Sequence, residues 1–379
     1  MASTLLDNAR KVTWRCGDAA RAGTWLSPSS APPERVGEAD DRTIAAAALA
    51  RVRSGEALVY TGDFQNARQL LAAMGRRLAP RSPPRGDLRA AWRAERERRR
   101  REHDLLGRVL VPIEEGLRVP LRRAPDAALA LAEALGETPP LPGLLPLREL
   151  LGIVGAHEWR RRGVPVPALG ASVHPHYGVY APVRGEYVDL VAAAAAEWPV
   201  AGKRAADVGT GTGVLAFVLA RAGARVVATD LEPAAVESAR EDAERLGLTG
   251  AVEVARADLF PEGRFDLVVS NPPWLPDEAR SPLERAVYDP GGAFLERLVA
   301  GLPARLAPGG EAWIVISDLA ERLGLRPEGH VAALAARAGL RVADLREARP
   351  SHPRTRDEAD PLHEARSHEV TRLFRLLAG

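Results

Sequence analysis

The 379-residue sequence predicts an α/β protein whose C-terminal half is a doubly wound, mainly parallel sheet covered by helices on both faces. Three observations carry this expectation. From Arg184 onward, short runs rich in valine, alanine and leucine alternate with helical patterns. One strand ends in a glycine-rich turn, Gly209-Thr-Gly-Thr-Gly213, that opens straight into a helix. Acids stand at or just past strand ends, at Asp207, Asp230 and Asp258, where open α/β sheets bind their ligands.

In chain order, residues 43–52 read as a helix, 57–60 as a short strand and 66–78 as a helix with Leu70, Leu71 and Met74 on one face. Strands are expected at 108–113 and 117–121, turned by Glu115-Gly116, and then a helix from Pro125 or Asp126 to about Gly136. Four prolines within 137–147 mark a boundary. A helix over 147–162 and an extended stretch over 164–180 follow. The regular alternation then begins with a helix at Glu186–Glu197, the strand Arg204–Val208, a helix from Val214, a strand at 225–229 and a helix at 233–246. It continues with strands Val252–Arg256 and Phe265–Ser270, a helix at 293–306, a strand at 311–317 and a helix at 329–338. Strands at 341–347 and 369–376 close the chain with no helix between them, which predicts an antiparallel edge pair.

Composition narrows the function classes. A formal net charge of +2 does not demand a nucleic-acid partner. Lys11 and Lys203 are the only lysines, so the basic residues are almost all arginine. The single cysteine, Cys16, excludes an intrachain disulfide and a cysteine metal cluster. Apolar stretches at 43–50 and 190–196 are too short to span a bilayer, and the N-terminus has no signal-type apolar core, so a soluble cytoplasmic protein is expected. The arginine run at 98–101 lies in a segment, 92–104, where Glu95 with Arg99 and Glu97 with Arg101 are spaced as on a solvated helix. Arginine can still reach phosphate from such a face. His174-Pro-His176 lacks a nearby third ligand, so no metal is expected.

The chemistry lies in two motifs. The turn spacing is G-x-G-x-G, with Val214 where a dinucleotide fingerprint places its third glycine. Asp207, two residues before the turn, would repel a pyrophosphate. Asp230 can accept ribose hydroxyls or cap the helix that opens at Leu231-Glu-Pro233. The second motif is Asn271-Pro272-Pro273-Trp274 at the end of a buried-type strand. An amide or exocyclic amino nitrogen shares its lone pair with a π system and attacks poorly. An asparagine oxygen and a backbone carbonyl can accept both of its N–H hydrogens, orient it and stabilise the charge growing on it. The prolines fix the backbone so that these acceptors converge, and the Trp274 ring can stack on a planar group.

These motifs resemble motif I and motif IV, (D/N/S)-P-P-(Y/F/W), of class I S-adenosylmethionine-dependent methyltransferases, in particular the "methyltransferase small" and HemK/PrmC-type N-methyltransferases. The resemblance covers residues 180 to the C-terminus and implies a Rossmann-like, seven-stranded sheet. It implies that Asp207, Gly209, Thr210, Gly211 and Gly213 hold the amino-acid end of S-adenosylmethionine, Asp230 and Leu231 the ribose, and Asp258 and Leu259 the adenine. Asn271, Pro272, Pro273 and Trp274 would position the acceptor nitrogen. Arg184 and Glu186 stand where glutamine methyltransferases carry a Pro-Arg-x-x-Thr-Glu segment, although the threonine is missing, and would bind substrate. Asp289-Pro-Gly-Gly292 also resembles that family and is equally a turn and helix cap. The implied domains are a smaller, α/β or mainly α, substrate-presenting front at 1–136, a proline-rich linker and bridging helix at 137–180 and the methyltransferase domain at 181–379. The α/β-like front resembles that of guanine-N2 enzymes with a degenerate cofactor-free copy, in which Thr61-Gly-Asp63 would be a decayed turn. The implied acceptor is RNA or a protein glutamine. A non-catalytic cofactor- or RNA-binding scaffold is the alternative.

Overall fold

The computed structural model describes residues 11–17, 19–79, 87–279, 281–350, 357–358 and 360–379; the first ten residues, and with them most of the N-terminal stretch read for a signal, lie outside the description. The chain forms two compact units, residues 1–84 with 93–158, and residues 85–92 with 159–379. Among the described residues no helix is long and apolar enough to cross a membrane.

The first unit is built on six strands, β1 (Lys11–Cys16), β2 (Ala19–Trp25), β3 (Arg35–Ala39), β4 (Glu56–Tyr60), β5 (Val109–Ile113) and β6 (Gly143–Pro146). Their order is β1-β2-β6-β5-β4-β3, with β3, β4 and β5 parallel and β6 antiparallel to β5. The helices of this part of the chain are α1 (Ala45–Arg53), α2 (Phe64–Leu78), α3 (Leu88–Leu106), α4 (Ala128–Leu135) and α5 (Leu147–Arg162). As its periodicity predicts, α2 buries Phe64, Ala67, Leu70, Leu71 and Met74.

One expectation for this unit is corrected. No strand forms over 117–121. Gly116 and Leu117 take positive φ (72° and 58°), Pro120 has no N–H to give a ladder, and the pairing shrinks to one bridge, Glu114 with Arg118. The Thr61-Gly-Asp63 turn joins β4 of the parallel strands to α2. Asp63 caps α2 through the Gln65 amide (2.9 Å) and is held by Arg123 (2.7 Å), while Asp41 accepts from the Tyr60 hydroxyl (2.9 Å) and the Asp63 amide (2.8 Å). The strand order of this sheet differs from that of the second sheet. In the arginine-rich helix, Glu95 is only 6% exposed and takes hydrogen bonds from Arg98 (2.8 Å) and Arg99 (2.6 Å), while Glu97 pairs with Arg100 (3.5 Å).

The second unit opens with a small hairpin, β7 (Val164–Val166) and β8 (Ala171–Val173). Its sheet holds β9 (Arg204–Val208), β10 (Arg225–Asp230), β11 (Val252–Arg256), β12 (Phe265–Ser270), β13 (Leu306–Ser317), β14 (Leu340–Ala348) and β15 (Thr371–Ala378), in the order β11-β10-β9-β12-β13-β15-β14. The first five in space are parallel, and β15 runs antiparallel to both neighbours, as the helix-free ending predicts. The chain winds outward from β9 to β11 and then returns to β12 on the other side. That reversal leaves a crevice at the carboxyl ends of β9 and β12.

The helices of this unit are α6 (Glu186–Glu197), α7 (Val214–Arg221), α8 (Pro233–Arg245), α9 (Pro282–Arg285), α10 (Ala293–Arg305), α11 (Leu319–Arg322), α12 (His330–Arg337) and α13 (His363–Ser367). Alternate strand residues divide between two cores. Ala205, Leu267, Val269 and Trp313 pack with α6, α7 and α8, whereas Ala206, Val208, Val268 and Ile314 pack with α10 and α12. Both faces are buried, so the central strands read as unbroken apolar runs. Helix α7 buries every residue from Val214 to Ala220. The Trp198 ring meets Trp313 edge-on at 5.6 Å and lies between the guanidiniums of Arg346 (4.1 Å) and Arg375 (4.3 Å).

Gly213 leads into α7 with φ +82°, and a Cβ there would lie 2.4 Å from Cζ of the buried Phe217. Gly202 has a similar φ of +76° but open space around it. Gly213→Ala should therefore lower stability in urea unfolding by about 2 kcal/mol or more, with Gly202→Ala losing about 1 kcal/mol. Equal losses would mean that backbone strain alone, not the Phe217 contact, decides the position.

Candidate active site

Four strand ends meet around the crevice. Strand β9 delivers Asp207 and then the turn, in which Gly209, Gly211 and Gly213 all have positive φ (72°, 56° and 82°). The amides of Gly209 and Thr210 both donate to the carbonyl of Thr229 on β10, each at 2.9 Å, so the turn is tied to the neighbouring strand. Asp207 lies beneath it, 1% exposed, with Oδ2 accepting from the Thr210 hydroxyl (2.6 Å) and the Ala216 amide (3.1 Å). Burial pushes its carboxyl up to about 7; the two hydrogen bonds work against this and the nearby Asp230 adds to it.

Asp230 is engaged on both oxygens, at the glycine turn and at the start of α8. Its Oδ2 accepts from the Gly211 amide (3.0 Å), and its Oδ1 from the Glu232 amide at the start of α8 (2.9 Å). Burial raises its pKa too. Among the described residues neither Asp207 nor Asp230 has an ion-pair partner. Leu231, next in sequence, is 52% exposed.

Past β11, Asp258 and Leu259 differ in their surroundings. Asp258 is 58% exposed and ion-paired with Arg297 at 2.7 Å. Leu259 is buried in the left-handed region, φ 72°, with its carbonyl taking the Thr229 hydroxyl at 2.6 Å. A side chain with a Cβ rarely sits there, and such strain collects at ligand sites.

Strand β12 runs beside β9, with Val269 opposite Asp207 and the Ser270 hydroxyl donating to the Val208 carbonyl (2.7 Å). Asn271, Pro272, Pro273 and Trp274 therefore emerge next to the glycine turn. The Trp274 indole N–H donates to Asn271 Oδ1 at 2.7 Å, and Arg326 donates to the Trp274 carbonyl at 3.1 Å. The Arg184 guanidinium lies 4.6 Å over the indole ring. Arg184 in turn is held by Glu186 (2.7 Å) and Glu369 (3.0 Å), and Glu369 takes the Ser317 hydroxyl at 2.6 Å. Arg184 thus lies against Trp274, and Glu186 reaches the segment only through Arg184. Asp289, 3% exposed, caps α10 through the Phe294 (2.8 Å) and Leu295 (3.1 Å) amides.

His174 and His176 are engaged elsewhere. His174 Nδ1 donates to the Arg160 carbonyl (2.6 Å), and His176 Nε2 lies 3.0 Å from Glu241. The sequence reading missed Thr229, Ser270, Arg326 and Glu369. Thr229 and Ser270 carry a signal, a hydroxyl in the last turnward position of a buried strand. Glu369 carries none, since its partner Arg184 is 185 residues away.

Residues 190–325 match the methyltransferase small domain family. The chain is 38% identical over 173 residues to the release factor glutamine methyltransferase of Cereibacter sphaeroides, a match covering 41% of this chain and 58% of that protein. To the corresponding Bordetella pertussis protein it is 36% identical over 163 residues, covering 39% and 55%. To the ribosomal RNA small subunit methyltransferase C of Chromohalobacter salexigens it is 39% identical over 117 residues, covering 30% and 32%. The chain thus spans little more than half the length of the first two relatives and a third of the last. The glycine turn and the Asn271–Trp274 segment both lie within the residues that match the methyltransferase small domain family.

Proposed function

We propose that this protein transfers a methyl group from S-adenosylmethionine to a planar amino or amide nitrogen, in RNA or in a protein glutamine side chain. The observation that carries the reading is the emergence of Asn271-Pro-Pro-Trp274 from β12 beside the strand that ends in the glycine turn, with Val269 paired to Asp207. The crevice chemistry suits the cofactor. A buried and a half-buried carboxylate, both with raised pKa and no cationic partner among the described residues, call for donors, such as an ammonium at Asp207 and ribose hydroxyls at Asp230. Space is open where a Cβ of Gly211 would stand.

When bound, S-adenosylmethionine supplies an electrophilic methyl group on a sulfonium sulfur. The protein's part is to bind and orient. Asn271 Oδ1 and the Pro272 carbonyl accept the two N–H hydrogens of the acceptor, which points the nitrogen lone pair at the methyl carbon. The same oxygens stabilise the positive charge that builds on nitrogen, and Trp274 stacks on the planar group. The methylated nitrogen is strongly acidic and loses its proton to water. The front residues 1–136 present the substrate. The reading places the protein in the cytoplasm, where both acceptor classes occur.

The deciding experiment supplies radiolabelled S-adenosylmethionine to extract from cells lacking this gene. Label released only by nuclease assigns an RNA acceptor, and label released only by protease a glutamine-type acceptor. No label and no cofactor binding would sink the reading in favour of a non-catalytic scaffold.

Asn271→Ala should leave cofactor affinity near wild type while lowering turnover by roughly a hundredfold or more. Collapse of cofactor binding would contradict its role. Asp230→Ala should mainly weaken cofactor binding; unchanged affinity would leave it a helix and turn cap.

The raised Asp207 pKa makes a pH prediction. In the free protein this carboxyl keeps its proton to about 7, whereas in the unfolded chain it loses it near 3.8. The native state therefore binds more protons between these values. Its contribution to stability falls as pH rises from about 4 to about 7 and is constant above. An ammonium ligand needs the carboxylate, so affinity for S-adenosylmethionine should climb as pH rises from about 5.5 to about 7, approaching tenfold per unit. Calorimetric titration of Asp207→Asn should give weak binding without that slope. A flat wild-type profile would remove Asp207 from the ammonium contact.

A further inference from the structure

The acceptor role of Asn271 requires that its oxygen, and not its amide nitrogen, face the substrate. The two ends of a carboxamide are nearly alike in shape, and half a turn about the last torsion would present an NH2 group to another N–H donor. Some neighbour has to choose between the two orientations. An indole N–H only donates, and Trp274 Nε1 lies 2.7 Å from Asn271 Oδ1. The flipped amide would set two donors head to head at that distance.

Resting on the methyl-transfer reading, we propose that the indole N–H of Trp274 is a positioning group that locks the Asn271 carboxamide with its oxygen turned to the acceptor nitrogen. One lone pair of Oδ1 takes the indole N–H and the other remains for the substrate. The lock needs a ring that does not swing. Arg184 covers one ring face at 4.6 Å and is itself fixed between Glu186 (2.7 Å) and Glu369 (3.0 Å). The backbone is held as well, by Arg326 on the Trp274 carbonyl (3.1 Å). A phenylalanine would fill most of the same space and stack on a planar acceptor, yet it has no donor to set the amide. The tryptophan therefore does more than stack.

The test is a double-mutant cycle in full-length protein, with labelled S-adenosylmethionine and the extract above as acceptor. Trp274→Phe should lower kcat on the order of tenfold to a hundredfold while the KM for S-adenosylmethionine stays near wild type. In an Asn271→Asp background both terminal atoms are oxygens, no orientation needs locking, and Trp274→Phe should change kcat little. Equal losses in the two backgrounds would overturn the proposal, because a merely space-filling ring would matter alike in both. A second arm needs neither turnover nor cofactor. Seven tryptophans provide seven indole N–H resonances in 15N-labelled protein, and that of Trp274 is the one missing from Trp274→Phe. It should move upfield in Asn271→Ala and stay near its place in Asn271→Asp; an unmoved resonance in Asn271→Ala would show that the bond is not made. Failure of wild-type protein to bind S-adenosylmethionine would strike the proposed function instead, and the resonance arm would still report on the lock.

Discussion

Thr229 ties the two halves of the crevice to one strand end. Its carbonyl takes the amides of Gly209 and Thr210, and its hydroxyl reaches the carbonyl of Leu259. The residue is fully buried, so none of these groups has water as a substitute partner. The left-handed backbone of Leu259 is strained by roughly 1–2 kcal/mol, and one buried hydrogen bond offsets a good part of that. The glycine turn and the loop after β11 are consequently set in relation to each other by backbone geometry, before any ligand acts on either.

The two sides of the crevice differ in charge. Beneath the glycine turn, buried Asp207 and half-buried Asp230 have no ion-pair partner among the described residues; desolvation raises both pKa values, and Asp230 adds to the rise at Asp207. Beside Trp274, the single Arg184 guanidinium is shared between Glu186 and Glu369, and the indole ring rests on it. A cationic ligand gains from the first arrangement. The second fixes one guanidinium against the indole ring and so holds the ring in place.

The second unit was largely legible in sequence because its elements are set by local patterns. Arg204–Val208, Phe265–Ser270 and Glu186–Glu197 fall where alternation and apolar runs place them, and the Asp207, Asp230 and Asn271 positions follow from strand ends. The front unit was less so. Strand β6 hides among the prolines of 137–147, since Pro146 sits at its end, and the β1–β2 hairpin is mostly exposed, with only Val12, Trp14 and Trp25 well buried. The expected strand at 117–121 failed where positive φ at Leu117 and the missing donor of Pro120 overrode a favourable composition. Within the site, local motifs could not reveal Glu369 or Arg326, whose contacts join distant parts of the chain. Nor could they reveal that the Trp274 indole, read as a stacking surface, also makes a hydrogen bond.

Strand β14 pairs with β15 alone, while β15 also pairs with β13, so the later strand is inserted between two earlier ones. During synthesis from the N-terminus, β14 has no partner in the sheet and β13 keeps an open edge until β15 has left the ribosome. Glu369, which holds Arg184 near Trp274, arrives just ahead of that strand. The nascent chain can thus assemble β9 to β13 and the glycine turn while its acceptor side is still unfinished. Ordering of the residues around Asn271 is then among the last events of folding, a timing written into the topology.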